Sequence, residues 1–149
     1  MTLESSPARA ASAAATSGRT RRVLVVDDDR DLATIIRYVL LHQGYAVHAV
    51  FDGRDAVEAA LRFRPDAVLC DIGLRGVDGY DVASALSASA CGATLIALTG
   101  HAAHADVSRA LAAGFHHHLA KPVDFAALAQ LLGEPVERRN ELAPSRRQE

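Results

Sequence analysis

Five short apolar runs, separated by stretches whose apolar residues recur at helical spacing, restrict what this chain can fold into more than any other feature of it. The runs are Val23–Val26, Ala46–Val50, Ala67–Cys70, Leu95–Leu98 and His117–Ala120. Between the first two, Leu32, Ile35, Ile36, Val39 and Leu40 fall at i, i+3, i+4, i+7 and i+8. Val107, Ala110 and Leu111 repeat the pattern, as do Phe125, Leu128, Leu131 and Leu132. The segments from Asp55 to Phe63 and from Tyr80 to Leu86 carry weaker versions of it. Gly44, Pro65, Gly92, Gly114 and Pro122 punctuate the joints. Strands alternating with helices imply a parallel sheet with helices on both faces.

The order of the strands is also readable. A strand inside such a sheet is covered on both faces and reads as a continuous apolar run. VLVV, AVLC and LIAL read that way, whereas AVHAV carries His48 and HHLA carries two histidines, which suits the edges. The order 2-1-3-4-5 puts those two strands at the edges. The expectation is an α/β, flavodoxin-like, doubly wound five-stranded parallel sheet with five helices, in three αβα layers.

Length and charge set the limits. A chain of 149 residues, 50% apolar, suits one domain with a real core. Residues 1–21 are rich in Ala, Ser and Arg and read as a disordered leader, residues 22–133 as the domain, and residues 134–149 as a disordered tail. The stretch 23–133 carries 13 acidic against 8 basic residues, which argues against a nucleic-acid groove. No apolar segment approaches the ~18 residues expected of a membrane span. Cys70 and Cys91 form no CxxC pattern, so a reduced, cytoplasmic protein is expected.

The unusual residues fall at the carboxyl ends of the predicted strands, where open α/β sheets bind ligands. The first strand ends in Asp27 and Asp28, the third in Asp71, the fourth in Thr99 and the fifth in Lys121. Three converging carboxylates repel one another, but they suit a hard divalent cation such as Mg²⁺. A cation beside a carboxylate and an ammonium suggests a phosphoryl group, and an aspartate can itself be the nucleophile. Lys121 is the only lysine, against 15 arginines, and it lies at this rim. A compact ammonium acts as a point charge on a phosphoryl oxygen in a way a planar guanidinium does not. Asp29 sits where a helix N-cap is expected.

The segments VLVVDDDRD, LCDIGLRGVDGYD, LIALTGH and GFHHHLAKPVD, in this order, resemble the receiver domain of bacterial two-component response regulators over roughly Arg22 to Gly133. The last segment is similar to receivers of hybrid sensor kinases. The resemblance implies that Asp71 accepts a phosphoryl group from a histidine kinase or a histidine phosphotransfer protein. It implies that Asp27, Asp28, Asp71 and the backbone carbonyl of Gly73 hold Mg²⁺, or Mn²⁺ in its place. Asp28 is the implied direct ligand, and Asp27 acts largely through water. Thr99 is the implied switch hydroxyl, Lys121 the implied partner of the phosphoryl group, and Asp78 and Gly79 open the third helix. Three positions depart from the common pattern. Arg75 stands where many receivers have proline, Gly73 offers no side chain to steer water, and His118 occupies the position of an aromatic switch residue.

The resulting expectation is a stand-alone phosphoreceiver rather than an enzyme acting on a separate substrate. It assists its own phosphorylation and dephosphorylation, and it signals through an unidentified downstream protein or serves as a relay intermediate or sink. It contacts neither nucleic acid nor membrane, and it is a monomer or a phosphorylation-dependent dimer. One rival is a receiver-like binding module that is never phosphorylated. Another is a phosphatase resembling the haloacid dehalogenase family, whose DxD motif Asp27-Asp28-Asp29 imitates, although it leaves LCDIGLRGVDGYD unexplained. His116, His117 and His118 read as a satisfied edge-strand cluster rather than a metal site, since strand side chains alternate faces. His101 and His104 read as loop and helix-start residues, Cys70 as a small buried hydrophobe, and Cys91 as an inert loop residue.

Overall fold

The computed structural model describes residues 17–89, 91–100 and 107–138. Strand β1 spans Ser17–Thr20 and β2 Arg22–Val26. Helix α1 (Arg30–His42), β3 (Ala46–Val50), a single 3₁₀ turn and α2 (Ala56–Phe63) follow. Then come β4 (Ala67–Asp71), α3 (Gly79–Ala88), β5 (Thr94–Thr99) and α4 (Val107–Ala113). The described chain closes with β6 (His117–Ala120), α5 (Phe125–Leu132) and β7 (Val136–Arg138).

The main sheet has the order β3-β2-β4-β5-β6, all parallel. Counted within that sheet this is 2-1-3-4-5, as the apolar runs require. The strands read as edges are the edges. The inner strand β4 is buried along its whole length, whereas His117 and His118 on β6 are exposed.

Alternation along the strands feeds two cores. Leu24, Val26, Val68, Cys70, Leu95 and Ala97 face α2, α3 and α4, meeting Ala60, Leu86 and Phe115. Val23, Val25, Leu69, Ile96 and Leu98 face α1 and α5, meeting Ile36, Leu40, Leu128 and Leu132. Each of the larger aliphatic side chains stabilises the fold by about 1.5–3 kcal/mol through burial. Cys70 lies in this core, and burial pushes its thiol well above the usual range. Helices α1, α3 and α5 start on capping aspartates: Asp29, Asp78 and Asp124 each accept a backbone N–H from the first turn. Helix α2 ends on Arg64, held in the left-handed conformation at φ 54°.

The boundaries drawn at residues 21 and 134 need correcting. Ser17–Thr20 and Val136–Arg138 lie in segments read as disordered, yet they pair antiparallel in a second, two-stranded sheet. The Arg21 N–H donates to Pro135 O at 2.7 Å, and Arg21 Nε donates to Glu134 O at 3.0 Å. Arg19 forms a two-pronged pair with Asp66. These polar strands are held by long-range partners, so composition alone gives no sign of them. Residues 1–16 and 139–149 lie outside the described residues.

Candidate functional site: an acidic rim with one lysine

The parallel sheet delivers every residue of the site to one edge. The Asp27 N–H donates to Val50 O at 3.1 Å, continuing the β2–β3 ladder one residue beyond the strand. Asp71 ends β4 and pairs in register with Leu98 of β5. Thr99 therefore stands one residue beyond Asp71 on the neighbouring strand. The Lys121 N–H donates to Thr99 O at 2.8 Å, which seats the lysine beside both.

The side chains converge. Asp27, Asp28 and Asp71 each offer a carboxylate oxygen, all within 4.8 Å of one another. Lys121 Nζ lies 3.3 Å from Asp27 Oδ2 and 3.3 Å from Asp71 Oδ2. The other oxygens are held by backbone amides. Asp27 Oδ1 accepts from the Asp29 N–H at 2.9 Å, and Asp71 Oδ1 accepts from the Gly73 N–H at 2.9 Å. Asp28 Oδ2 accepts from the Arg75 N–H at 2.7 Å, with Arg75 Nε farther out at 3.9 Å.

Asp27 is fully buried, and its Oδ2 has no hydrogen bond. The contact to Lys121 is long for a charge-assisted bond, which usually closes to about 2.7–2.9 Å. It is a Coulombic contact, and the lone pairs remain unspent. Burial, with the Asp71 charge beside it, pushes the Asp27 carboxyl up to about 6 against the pull of the Asp29 amide and Lys121. Burial alone pulls Lys121 down, but Asp27 and Asp71 together outweigh it, and its ammonium is held above the usual lysine range. An orphaned, buried carboxylate oxygen in an all-oxygen donor set fits a hard divalent cation.

The remaining residues singled out in the sequence are also placed. Thr99 is buried, and its hydroxyl donates to Leu119 O at 3.5 Å. Gly73 is exposed, and its amide donates to Asp71 Oδ1. His118 is exposed on β6 opposite Ala97. His116 Nδ1 accepts from the Leu95 N–H at 2.9 Å, and no histidine joins a cluster of three potential ligands among the described residues. His101 and His104 lie outside the described residues.

Asp78 does more than cap α3. Its second oxygen accepts from Arg109 Nη2 at 2.6 Å, tying α4 to α3, and the same guanidinium lies over the Tyr80 ring. Nothing in the sequence marks Arg109 as this partner, because the link spans 31 residues. Gly79 is required by close approach: a Cβ there would meet Asp71 O and Ile72 Cα at 2.6 Å.

A family model described as the response regulator receiver domain matches residues 23–133. The chain belongs to this family. Over 102 residues the receiver is 37% identical to the DNA-binding response regulator MtrA of Mycobacterium tuberculosis, covering 68% of this chain and 44% of MtrA. Over 124 residues it is 34% identical to the transcriptional regulatory protein PrrA of the same species, covering 83% of this chain and 53% of PrrA. The chain thus spans about half the length of the curated relatives it matches.

Among solved structures, the receiver domain of sensor histidine kinase PA1611 from Pseudomonas aeruginosa, with magnesium in its active-site cleft, is 37% identical. It aligns with a TM-score of 0.68 over 76% of this chain and 94% of that one. A response regulator protein from Burkholderia pseudomallei with a phosphorylated aspartic acid, calcium and citrate aligns with a TM-score of 0.70 at 26% identity. That match covers 76% of this chain and 66% of that one.

Proposed function

We propose that this receiver takes a phosphoryl group onto Asp71 from a phosphohistidine donor. The observation that carries the reading is the convergence of three carboxylates on one lysine that contacts two of them. A carboxylate oxygen of Asp71 attacks phosphorus, the P–N bond to the donor imidazole breaks, and the imidazole takes the bonding pair. The Gly73 amide fixes the plane of the Asp71 carboxylate, and Lys121 lies where it can pair with a phosphoryl oxygen. Asp27, Asp28 and Asp71 would hold Mg²⁺ or Mn²⁺, with the Gly73 carbonyl as the further ligand that the family resemblance implies. The metal supplies positive charge to the transferring group. The protein is an acceptor that assists its own phosphorylation and dephosphorylation, not an enzyme turning over a separate substrate.

Thr99 is the proposed switch. Its contact with Leu119 O, at 3.5 Å, is longer than the roughly 2.5–3.0 Å of a good hydroxyl bond, so little is lost when the hydroxyl turns to a phosphoryl oxygen. The turn of the hydroxyl removes its contact with Leu119 O of β6, the strand that carries His118, while the β5–β6 ladder stays in place. The proposed output is protein contact at this face, as a stand-alone regulator, a relay intermediate or a sink, in the cytoplasm. A monomer or a phosphorylation-dependent dimer fits it, and direct contact with nucleic acid is not part of it.

Phosphoramidate, whose P–N bond imitates phosphohistidine, tests the reading with Mg²⁺ present. A band retarded by phosphate-affinity electrophoresis, stripped by neutral hydroxylamine and absent in Asp71→Asn, is the expected result. A band that persists in Asp71→Asn places the acceptor elsewhere. No band in the wild type favours the unphosphorylated binding module.

A further inference from the structure

The end of the sheet opposite the phosphoacceptor rim holds a cavity of about 670 Å³ that the proposed transfer does not use. It opens between β1, the end of α2 and the starts of β4 and β5. Among the described residues, Arg19, Arg21 and Arg64 stand around it with one carboxylate, that of Asp66. Leu61 and Pro65 give it an apolar side, and Leu61 is 55% exposed although nothing polar is gained there. Its size lies within the roughly 300–1,000 Å³ of small-molecule sites.

The three arginines differ. Arg19 is paired with Asp66. Arg21 donates to the carbonyl of Glu134, which satisfies its Nε, and no salt bridge within 4 Å holds its guanidinium among the described residues. Arg64 makes no side-chain hydrogen bond or ion pair among the described residues, and it lines a second cavity, of about 430 Å³, beside Arg22 and Arg62.

A cation near the end of α2 is favoured by the helix dipole, and Arg62 in the last turn already supplies one. Arg64 goes further, because its φ of 54° is the only positive φ at a non-glycine residue among the described residues. Glycine reaches that conformation freely, whereas an arginine there costs about 1–2 kcal/mol. An unpaired guanidinium at a position that disfavours it, between two cavities, is the kind of strain that accompanies a ligand site.

We propose that this cavity binds a small polyanion with a flat apolar body, of the nucleoside diphosphate class. The phosphates lie against Arg64 and Arg21, and the body covers Leu61 and Pro65. Guanidinium planes in this neighbourhood already stack on flat groups, since Arg22 lies 4.3 Å from the centre of the Phe63 ring.

Calorimetry and thermal unfolding with ADP, pyrophosphate and adenosine test the site. The titrations are run in EDTA so that phosphates are not held by metal at the other rim. ADP is expected to bind wild type and Asp71→Asn alike, pyrophosphate more weakly and adenosine not at all. Arg64→Ala should lose about tenfold in ADP affinity, the size of one charge-assisted hydrogen bond. Arg64→Gly should lose as much while its thermal midpoint without ligand rises, which separates lost binding from lost folding. Absence of ADP binding at millimolar concentration in the wild type, or equal affinity in Arg64→Ala, overturns the proposal. Equal affinity for pyrophosphate and ADP overturns the assignment of an apolar body.

Discussion

The two ends of one sheet handle charge in opposite ways. At the carboxyl end, Asp27, Asp28 and Asp71 crowd around one lysine, and a buried oxygen of Asp27 lacks a hydrogen bond. At the amino end, Asp66 is fully engaged. One of its oxygens accepts the Arg22 N–H at 2.8 Å, both bind Arg19, and its backbone joins Arg22 and Thr94. Both ends place a carboxylate beside cations at the tip of β4. At the acidic end a buried carboxylate oxygen is unmet, whereas at the amino end the carboxylate is satisfied and the unpaired group among the described residues is the exposed Arg64 guanidinium. An unmet demand in a buried site is the stronger sign of a ligand. Charge alone therefore does not mark function, whereas unsatisfied charge does.

Removing the cation from the acidic end is the largest expected perturbation. Lys121→Ala leaves Asp27 and Asp71 facing each other, and it should destabilise the metal-free fold by about 2 kcal/mol. This is below the 3–5 kcal/mol of a fully buried broken pair because the lysine is 22% exposed. Mg²⁺ should then raise the thermal midpoint by more than it does in the wild type. An equal rise in both would show that Lys121 and the metal do not share the same carboxylates.

At the amino end, Asp66→Ala removes the acceptor of the Arg22 amide and the partner of Arg19. A loss of about 1–2 kcal/mol in denaturant unfolding is expected, with the Mg²⁺ response unchanged. A changed Mg²⁺ response would mean that the two ends communicate along β4, and the contrast between them would fail.

Acidity separates the ends next. The Asp27 carboxyl is raised from 3.8 to about 6 in the fold, so the folded state holds this proton more tightly than the unfolded chain. Its contribution to stability is present below pH 3.8 and is lost as the pH rises through about 6. In EDTA the thermal midpoint should therefore carry a downward component between about pH 4 and 6 that Asp27→Asn removes. Mg²⁺ should stabilise most above pH 6, where the carboxylate is already bare. A midpoint that falls equally in Asp27→Asn would assign the effect to another group.

The smallest effect belongs to the exposed pair Arg62–Glu58, one helical turn apart at 3.2 Å. Arg62→Ala should cost about 0.3–0.5 kcal/mol by thermal unfolding, and less at high salt. A loss beyond 1 kcal/mol would show that the basic end is held by these arginines more tightly than their exposure implies.

This contrast also governs how much the sequence reveals. The acidic rim is legible because apolar runs fix where strands end, and Asp27, Asp28, Asp71, Thr99 and Lys121 all follow such runs. The edge positions of β3 and β6 are legible for the same reason, through the histidines that interrupt them. The amino end is not, because Arg21 meets Glu134 and Pro135 across more than a hundred residues, and Arg19 meets Asp66 across 47, without any local apolar pattern. Their composition suits a disordered tail until the partners are known. Arg75 falls between these cases: its identity is conspicuous beside the acceptor, but only the fold brings its amide to Asp28.

The central claim is that the unsatisfied end is a phosphoacceptor centred on Asp71. Intact-protein mass spectrometry after incubation with acetyl phosphate and Mg²⁺, beside Asp71→Asn and an EDTA control, tests it most directly. The account predicts a gain of one phosphoryl group in the wild type alone, and only with the metal. No gain in the wild type, or a gain that survives Asp71→Asn, would contradict it and leave the acidic rim without its assigned chemistry.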